Sequence, residues 1–344
     1  MISAVTGATG FVGSHVARML VARGDSVRVL VRPESDRRAL RDLPVTPVVG
    51  DLRDRASLDA LVRGARHVFH VAADYRLWAR HPQELFAANV DGTAHLLDAC
   101  RPAAVERLVY TSTVSTIAVP REGALPTEAT EARIDEMIGA YKRSKFLAEQ
   151  LARDAARAGL PVVIVNPTTP VGPGDWKPTP TGRMVLDFIR GKMPAYIETG
   201  LNVIAVEDVA RGHLLAAERG AAGERYLLGG RNIGLQDLWR ILARITGRRA
   251  PSIRIPWAAA AAIAVGSEAI ARVRGAEPRV PLDAVRIARH AMYVDTTKAA
   301  RDLGFTAGSV EAALARAVAW FVAQGYTGAP VAAAHPAAAG GAGA

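Results

Sequence analysis

Through its first half the chain alternates short apolar runs with longer stretches of helical period. The runs are ISAVT (2–6), SVRVLV (26–31), TPVV (46–49), HVFHV (67–71), RLVYTS (107–112) and PVVIV (161–165), all rich in β-branched residues. Between them lie GSHVARMLVARG (13–24), ELFAANVDGTAHLLDAC (84–100) and YKRSKFLAEQLARDAARAG (141–159), which carry helix-period apolar positions. Apolar runs without strict polar alternation predict strands buried on both faces. Strands and helices taken in turn predict an α/β fold, a doubly wound parallel sheet with helices on both sides.

The texture changes after Pro167. NPTTPVGPGDWKPTPTG (166–182) is crowded with Pro, Gly and Thr and predicts one unusually long loop, a feature that tends to be functional. Beyond it, VEDVARGHLLAAERG (206–220) and YLLGG (226–230) follow no regular strand–helix order. Residues 1–167 are therefore expected to form the sheet domain. Residues 168–326 are expected to form mainly a smaller C-terminal α/β domain for substrate, with some segments returning to the first. APVAAAHPAAAGGAGA (329–344) has low complexity and nothing to bury, so residues 327–344 are expected to be a disordered tail.

Composition narrows the class. The chain has 344 residues and is half hydrophobic, as expected of a globular enzyme rather than a disordered or fibrous protein. Cys100, the sole cysteine, lies in an Ala/Leu-rich stretch and is expected to be a small core residue. Folding without disulfides suits a reducing compartment. MISAVTGATG has no secretory pattern, so a cytoplasmic location is expected. The run WAAAAAIAVG (257–266) falls short of the roughly 20 residues that span a bilayer, so membrane contact is expected to be peripheral at most. The net charge is +10, but the arginines are scattered with no basic run, and nucleic-acid binding is not expected.

TGATGFVG (6–13) follows the first strand and opens the first helix. Gly7, Gly10 and Gly13 are spaced by Ala8, Thr9, Phe11 and Val12. Glycine allows a tight turn and lets backbone amides approach an anion at the helix N-terminus, while Gly13 lets the helix sit close to the sheet. Between a buried strand and an amphipathic helix, this spacing predicts a dinucleotide cradle. NAD sites carry an acid about twenty residues further on. Here the second strand runs into VRVLVRPESDRR, with Arg32 at its end. Arg32, with Arg38 or Arg37 opposite, could grip a 2′-phosphate in bidentate fashion. NADP(H) is therefore expected ahead of NAD(H). The alternative leaves Arg32 in solvent and gives the ribose to Glu34.

YKRSK (141–145) puts Tyr141 and Lys145 one helical turn apart on the same face. A free phenol titrates near pH ~10, and a fixed cation nearby favours its phenolate. Thr113 lies just past the end of the fifth strand, where ligands of such sheets bind, and could hold a substrate oxygen beside Tyr141. Lys145 could also bond the nicotinamide ribose. Ser112 is the alternative hydroxyl.

TGATGFVG, GDL (50–52), HVAA (70–73), NVDGT (89–93), YTST, YKRSK and NPTTPVGPGD together resemble the extended short-chain dehydrogenase/reductase superfamily, from Ile2 to about Tyr326. Within it the chain resembles the dihydroflavonol-4-reductase-like branch. Its 166–182 segment and MPAYIETGLNVIAVEDVARGHLLA look closer still to proteins called hopanoid-associated sugar epimerases. The resemblance implies a Rossmann-type sheet and a homodimer through the helices flanking YKRSK. It also implies that Asp51 and Leu52 flank the adenine, that Ala72 and Ala73 line the cofactor, and that Asn89 stands behind the active site. Pro167 would press near the nicotinamide, with Thr168 and Thr169 beside it. Many relatives have serine where this chain has Thr113.

The leading expectation is reversible hydride transfer between NADP(H) and a small ketone or secondary alcohol, one that is sugar- or isoprenoid-linked. The alternative is a nucleotide-sugar epimerase that keeps NAD(P)+ and performs no net redox. A non-catalytic nucleotide sensor ranks behind both, because such proteins tend to lose the Tyr or Lys. A dehydratase is not expected, since Val114 and Ser115 stand where those enzymes carry an acidic pair. His67 and His70 lack partners at ligand spacing, so no metal is expected and His70 reads as a core or cofactor-side residue. Arg183 and Arg231 remain unassigned candidates for a substrate phosphate.

Overall fold

The computed structural model describes residues 1–76, 78–118 and 123–327. The expected tail, beyond Thr327, lies outside them. In chain order the strands are β1 (Ile2–Thr6), β2 (Ser26–Val31), β3 (Val45–Val49), β4 (His67–His70), β5 (Arg107–Thr111) and β6 (Val162–Pro167). There follow β7 (Thr169–Val171), β8 (Ala195–Tyr196), β9 (Gly200–Ala205), β10 (Arg225–Leu228), β11 (Arg231–Gly234) and β12 (Ile253–Arg254). The first six helices are α1 (Phe11–Ala22), α2 (Arg55–Val62), α3 (Gln83–Phe86), α4 (Gly92–Cys100), α5 (Gly139–Arg157) and α6 (Pro180–Ile189). The rest are α7 (Val206–Arg219), α8 (Leu235–Thr246), α9 (Trp257–Arg274), α10 (Leu282–Ile287), α11 (Thr297–Leu303) and α12 (Val310–Ala323).

Seven strands form one sheet in the order β10-β6-β5-β4-β1-β2-β3, every neighbouring pair parallel. Strands β4, β6 and β10 are buried along their whole length, as strands covered by helices on both faces are. Pro47 cannot donate to a ladder and sits in β3, the edge strand. One face is covered by α1, α7 and α11 through Val16, Leu20, Val209, Ala216 and Leu303. The other is covered by α2, α4 and α5 through Leu58, Leu61, Leu96, Ala148 and Ala152. Cys100 is fully buried in this second core, where burial pushes its thiol up to about 12, so it packs and stays unreactive.

The stretch 166–182 is not one loop. β6 continues to Pro167, and Thr169–Val171 pairs in parallel with β9 in a three-stranded sheet ordered β11-β9-β7. Pro170 fits because β7 is an edge there. Thr179 then caps α6 by accepting from Gly182 N, with Pro180 at the first helical position. Irregular chain is thus confined to 172–179. The small sheet packs with α6, α8 and α12 around a third core, where Phe188 stacks on Trp239 at 5.6 Å between centroids. Two later segments, α7 and β10, pack into the main sheet layer rather than this core. Among the described residues, no helix is long and apolar enough to cross a membrane.

Candidate active site

At the C-terminal end of β1, Gly7 adopts φ +73°, and a Cβ there would lie 2.6 Å from Ala72 N. Only glycine permits both the backbone angle and this approach of the β4 strand end. A Cβ on Gly13 would lie 2.2 Å from Gly7 O, so α1 rests directly on the turn. Gly10 N donates to Gly7 O at 2.9 Å. Gly10 caps α1 without a side chain and no acid stands in the first turn, so the amides around Phe11 and Val12 face outward with their dipole uncompensated. Thr9, half-buried, completes the turn. These residues fit a dinucleotide pyrophosphate.

Around this cradle the other expected cofactor residues fall as follows. Ala72 N donates to Thr6 Oγ1 at 3.2 Å, and Ala73 follows it at the mouth of the sheet. Arg32, exposed at the end of β2, has Glu34 Oε1 3.4 Å from its Nε. Asp51 pairs with Arg53 at 2.8 Å, a contact that holds its carboxyl below the usual range. Leu52 packs against α4 where Gly92 leaves room. Arg38 bonds Asp36 and lies 4.6 Å over the Trp176 ring. It ties the turn Arg38–Leu40 after β2 to the 172–179 loop instead of closing opposite Arg32. The same loop is held by His15 Nε2 on Pro173 O at 2.9 Å and by Tyr326 Oη donating to Trp176 O at 2.6 Å.

Thr113 Oγ1 accepts from Ser115 N at 3.2 Å and lies near enough to the Tyr141 phenol to favour its ionised form, bringing the strand-end residue and the α5 residue together. Lys145, almost fully buried, donates to Thr111 O at 2.7 Å and to Tyr110 Oη at 3.0 Å, with its ammonium 4.6 Å over the Tyr110 ring. Its third N–H has no acceptor among the described residues and remains available to a ribose hydroxyl. Burial pulls the Lys145 ammonium down to about 7, against the opposing charge of Glu149. The expected lowering of the Tyr141 phenol is not what the geometry gives. Burial raises it, Thr113 only partly opposes this, and Lys145 is engaged with Tyr110 instead.

Ser112 points away from Tyr141. Its hydroxyl donates to the Glu149 carboxylate, which also accepts from Thr116 Oγ1 at 2.7 Å and from Asn166 Nδ2 at 2.9 Å. Arg225 of β10 completes this buried cluster with an ion pair of 3.0 Å to Glu149. Asn166 Nδ2 also donates to Thr113 O at 3.0 Å, and Thr113 O, 2.8 Å from Thr116 Oγ1, is the alternative acceptor for the single Thr116 hydroxyl proton. The backbone that presents Thr113 is therefore clamped from below. Sequence reasoning missed Tyr110, Glu149, Asn166 and Arg225. Glu149 did leave a trace: it lies at i+4 from Lys145 on the buried face of α5, an odd place for an acid.

Asn89 sits in a π-helical turn, Ala87–Asp91, where its side chain bonds Asp74 N at 2.7 Å, Asp74 O at 2.9 Å and Ser144 Oγ at 2.9 Å. Ser144 Oγ in turn donates to Tyr141 O at 2.9 Å, so Asn89 stands behind the Tyr141 turn. Past the end of β6 (Pro167), Thr168 Oγ1 donates to Asn202 Oδ1 at 2.8 Å and Thr169 enters β7, both nearly buried. His70 links Thr6 and Thr93 at 2.7 and 3.0 Å, and burial drops it to about 3, leaving a neutral core imidazole. No acidic, His or Cys cluster able to hold a metal occurs among the described residues. Arg183 and Arg231 form exposed ion pairs, with Glu277 at 3.7 Å and Glu311 at 2.7 Å.

Comparison with known proteins converges on one group. Residues 3–229 match the NAD dependent epimerase/dehydratase family. A Synechocystis sp. protein provisionally named dihydroflavonol 4-reductase is 45% identical over 94% of this chain and 95% of its own. Sterol demethylase protein B of Methylococcus capsulatus is 35% identical over 94% and 99%. Among solved structures, the dTDP-glucose 4,6-dehydratase DesIV of Streptomyces venezuelae, with NAD bound, superposes with a TM-score of 0.75 at 26% identity, covering 94% of this chain and 98% of its own. Matched by this family over most of its length, the chain belongs to the NAD dependent epimerase/dehydratase family of extended short-chain dehydrogenases/reductases.

Proposed function

We propose that the protein is an NADP(H)-linked oxidoreductase that interconverts a ketone and a secondary alcohol. The observation that carries this reading is the hydroxyl pair Tyr141–Thr113 beside a buried Lys145 at the sheet's C-terminal edge. A bound nicotinamide supplies or accepts the hydride at carbon. The chain's own residues handle the oxygen. Thr113 and Tyr141 offer two hydroxyls to one carbonyl oxygen, which orients it and stabilises the charge that develops. Tyr141 delivers the proton in reduction and takes it back in oxidation. Lys145 holds the ribose by its remaining N–H, while Tyr110 and Thr111 O fix its position. Arg32 favours the 2′-phosphate of NADP(H) because its ion-pair partner, Glu34, is exposed and displaceable. The relative named as a reductase supports the same direction.

One observation favours a second reading. Glu34 stands at the same strand end as Arg32 and could hold a ribose diol, as suits a retained NAD+ and an epimerase without net redox. Denaturing the purified protein and counting the nucleotide released separates the two. An empty site that binds NADPH well ahead of NADH supports the reductase. Near-stoichiometric NAD+ that survives dialysis overturns it in favour of the epimerase. In either case Tyr141→Phe should abolish turnover and leave nucleotide affinity within about threefold, because the phenol acts on substrate and not on the cradle. Retained turnover in Tyr141→Phe would remove the mechanism.

A further inference from the structure

Helix α9 carries an outer face that nothing among the described residues covers. At about 100° per residue, Ala258, Ala262, Val265, Ile263, Ile270 and Val273 fall within one arc of about 160°. Ile263, Val265 and Ile270 are each 55% exposed and Val273 is 89% exposed. Ala260, Ala264 and Ala271, on the opposite side, are buried. The arc holds no charge. Arg272 and Arg274 stand at its two edges, both exposed, with Arg272 3.9 Å from Glu268. The acids nearby are turned away or paired: Glu268 accepts from Leu282 N at 3.0 Å, and Glu277 lies 3.7 Å from Arg183. Further exposed cations gather round it. Arg289 sits 5.2 Å over the Trp257 ring at the helix start, and Arg80 Nη1 lies 4.0 Å from the Cβ position of Gly275 at its end.

We propose that α9 is an interfacial helix that lies on an anionic lipid bilayer. An apolar face about 24 Å long, flanked by guanidinium groups and too short and mixed to span, matches a helix that rests in the headgroup boundary. The arginines at its edges match anionic headgroups in charge. Its place in the fold gives the contact a use. α10, packed on α9, brings Asp283 to within 2.6 Å of the Cβ position of Gly139, two residues before Tyr141. At the other end, Gly275, which caps α9, lies beside Arg80, in the segment that follows the alanines expected to line the cofactor. The α9–α10 unit therefore touches the N-terminus of the Tyr141 helix on one side and lies beside the segment after Ala73 on the other, so bilayer docking sets the membrane against the rim of the site.

The test is co-sedimentation of the full chain with phosphatidylglycerol vesicles and with phosphatidylcholine vesicles, at low and high salt, alongside the double variant Ile263→Glu/Ile270→Glu. The wild type should pellet with the anionic vesicles only, less so as salt rises. The double variant should bind at least about a hundredfold more weakly, about tenfold per substitution, with an unchanged melting temperature. Wild-type protein that stays in solution with both vesicles would overturn the proposal, and so would a double variant that pellets like the wild type. A dimer that the double variant converts to monomer, read by light scattering, would assign the face to a second copy and overturn it equally.

Discussion

Replacing Lys145 by Met should make the protein more stable at neutral pH while destroying its activity. The ammonium is 2% exposed, and burial pulls its ionisation from 10.5 down to about 7. The unfolded chain holds this proton up to about 10.5 and the folded chain only to about 7, so between those values folding releases a proton. Stability from this group therefore rises with pH across that window, and the penalty is complete below about 7 and gone above about 10.5. At pH 7 the penalty amounts to about 4 kcal/mol, and near pH 9 to about 2 kcal/mol. Against it stand the two hydrogen bonds to Tyr110 Oη and Thr111 O, which contribute about 2 kcal/mol together. Met keeps most of the aliphatic stem.

The variant should thus be about 2 kcal/mol more stable than wild type at pH 7, equal to it near pH 9, and less stable above. Urea unfolding of both proteins at several pH values between 6.5 and 9.5, followed by tryptophan fluorescence, reads the difference directly. Turnover should be lost at every pH. A stability difference that does not change with pH would show that Lys145 ionises as it does in water, and the reasoning would fail. A variant less stable than wild type at pH 7 would show that the two bonds outweigh the desolvation.

Two further outcomes follow from the packing. Gly13→Ala should lower NADPH affinity at least a hundredfold, or prevent folding, because its Cβ would lie 2.2 Å from a backbone oxygen that cannot move aside; titration of cofactor fluorescence checks it, and near-normal binding would contradict the cradle. Arg225→Met should cost about 3–5 kcal/mol in urea unfolding, since it leaves the Glu149 carboxylate buried without its cation. A loss below about 1 kcal/mol would mean that the clamp survives without the ion pair.

What the sequence made legible was local. Unbroken β-branched runs gave the six early strands, and the glycines between β1 and α1 gave the cradle, because tight turns and buried strands each demand particular residues within a few positions. The pairing of Tyr141 with Thr113 could be anticipated from sheet topology alone. The clamp beneath Thr113 could not. Arg225 reaches Glu149 across 76 residues of sequence, and β10 looks like any short apolar run until it is seen beside β6. Thr169–Val171 misled for a different reason, since Pro and Gly around it mask a strand that forms only because β9 is there to pair with. Arg38 was placed on the nucleotide by charge, whereas the flat indole of Trp176 draws it away.

The ionisation state of Tyr141 argues for a direction of reaction. Burial raises the phenol above its ordinary 10.0 while Thr113 only partly opposes it, so at neutral pH Tyr141 carries its proton. A protonated phenol is ready to act as the acid that reduction of a ketone needs, whereas oxidation of an alcohol needs the phenolate as base. Lys145 does little to reverse this, because its own charge is already half lost near pH 7 and is directed at Tyr110. Reduction by NADPH should therefore run at a steady rate from pH 6 to 8, while oxidation of the corresponding alcohol should climb about tenfold per pH unit over the same range. Initial rates in both directions, at saturating cofactor, measure this. An oxidation rate that is flat below pH 8 would mean that Tyr141 is already ionised in the working enzyme, and that a bound ligand turns Lys145 back towards it.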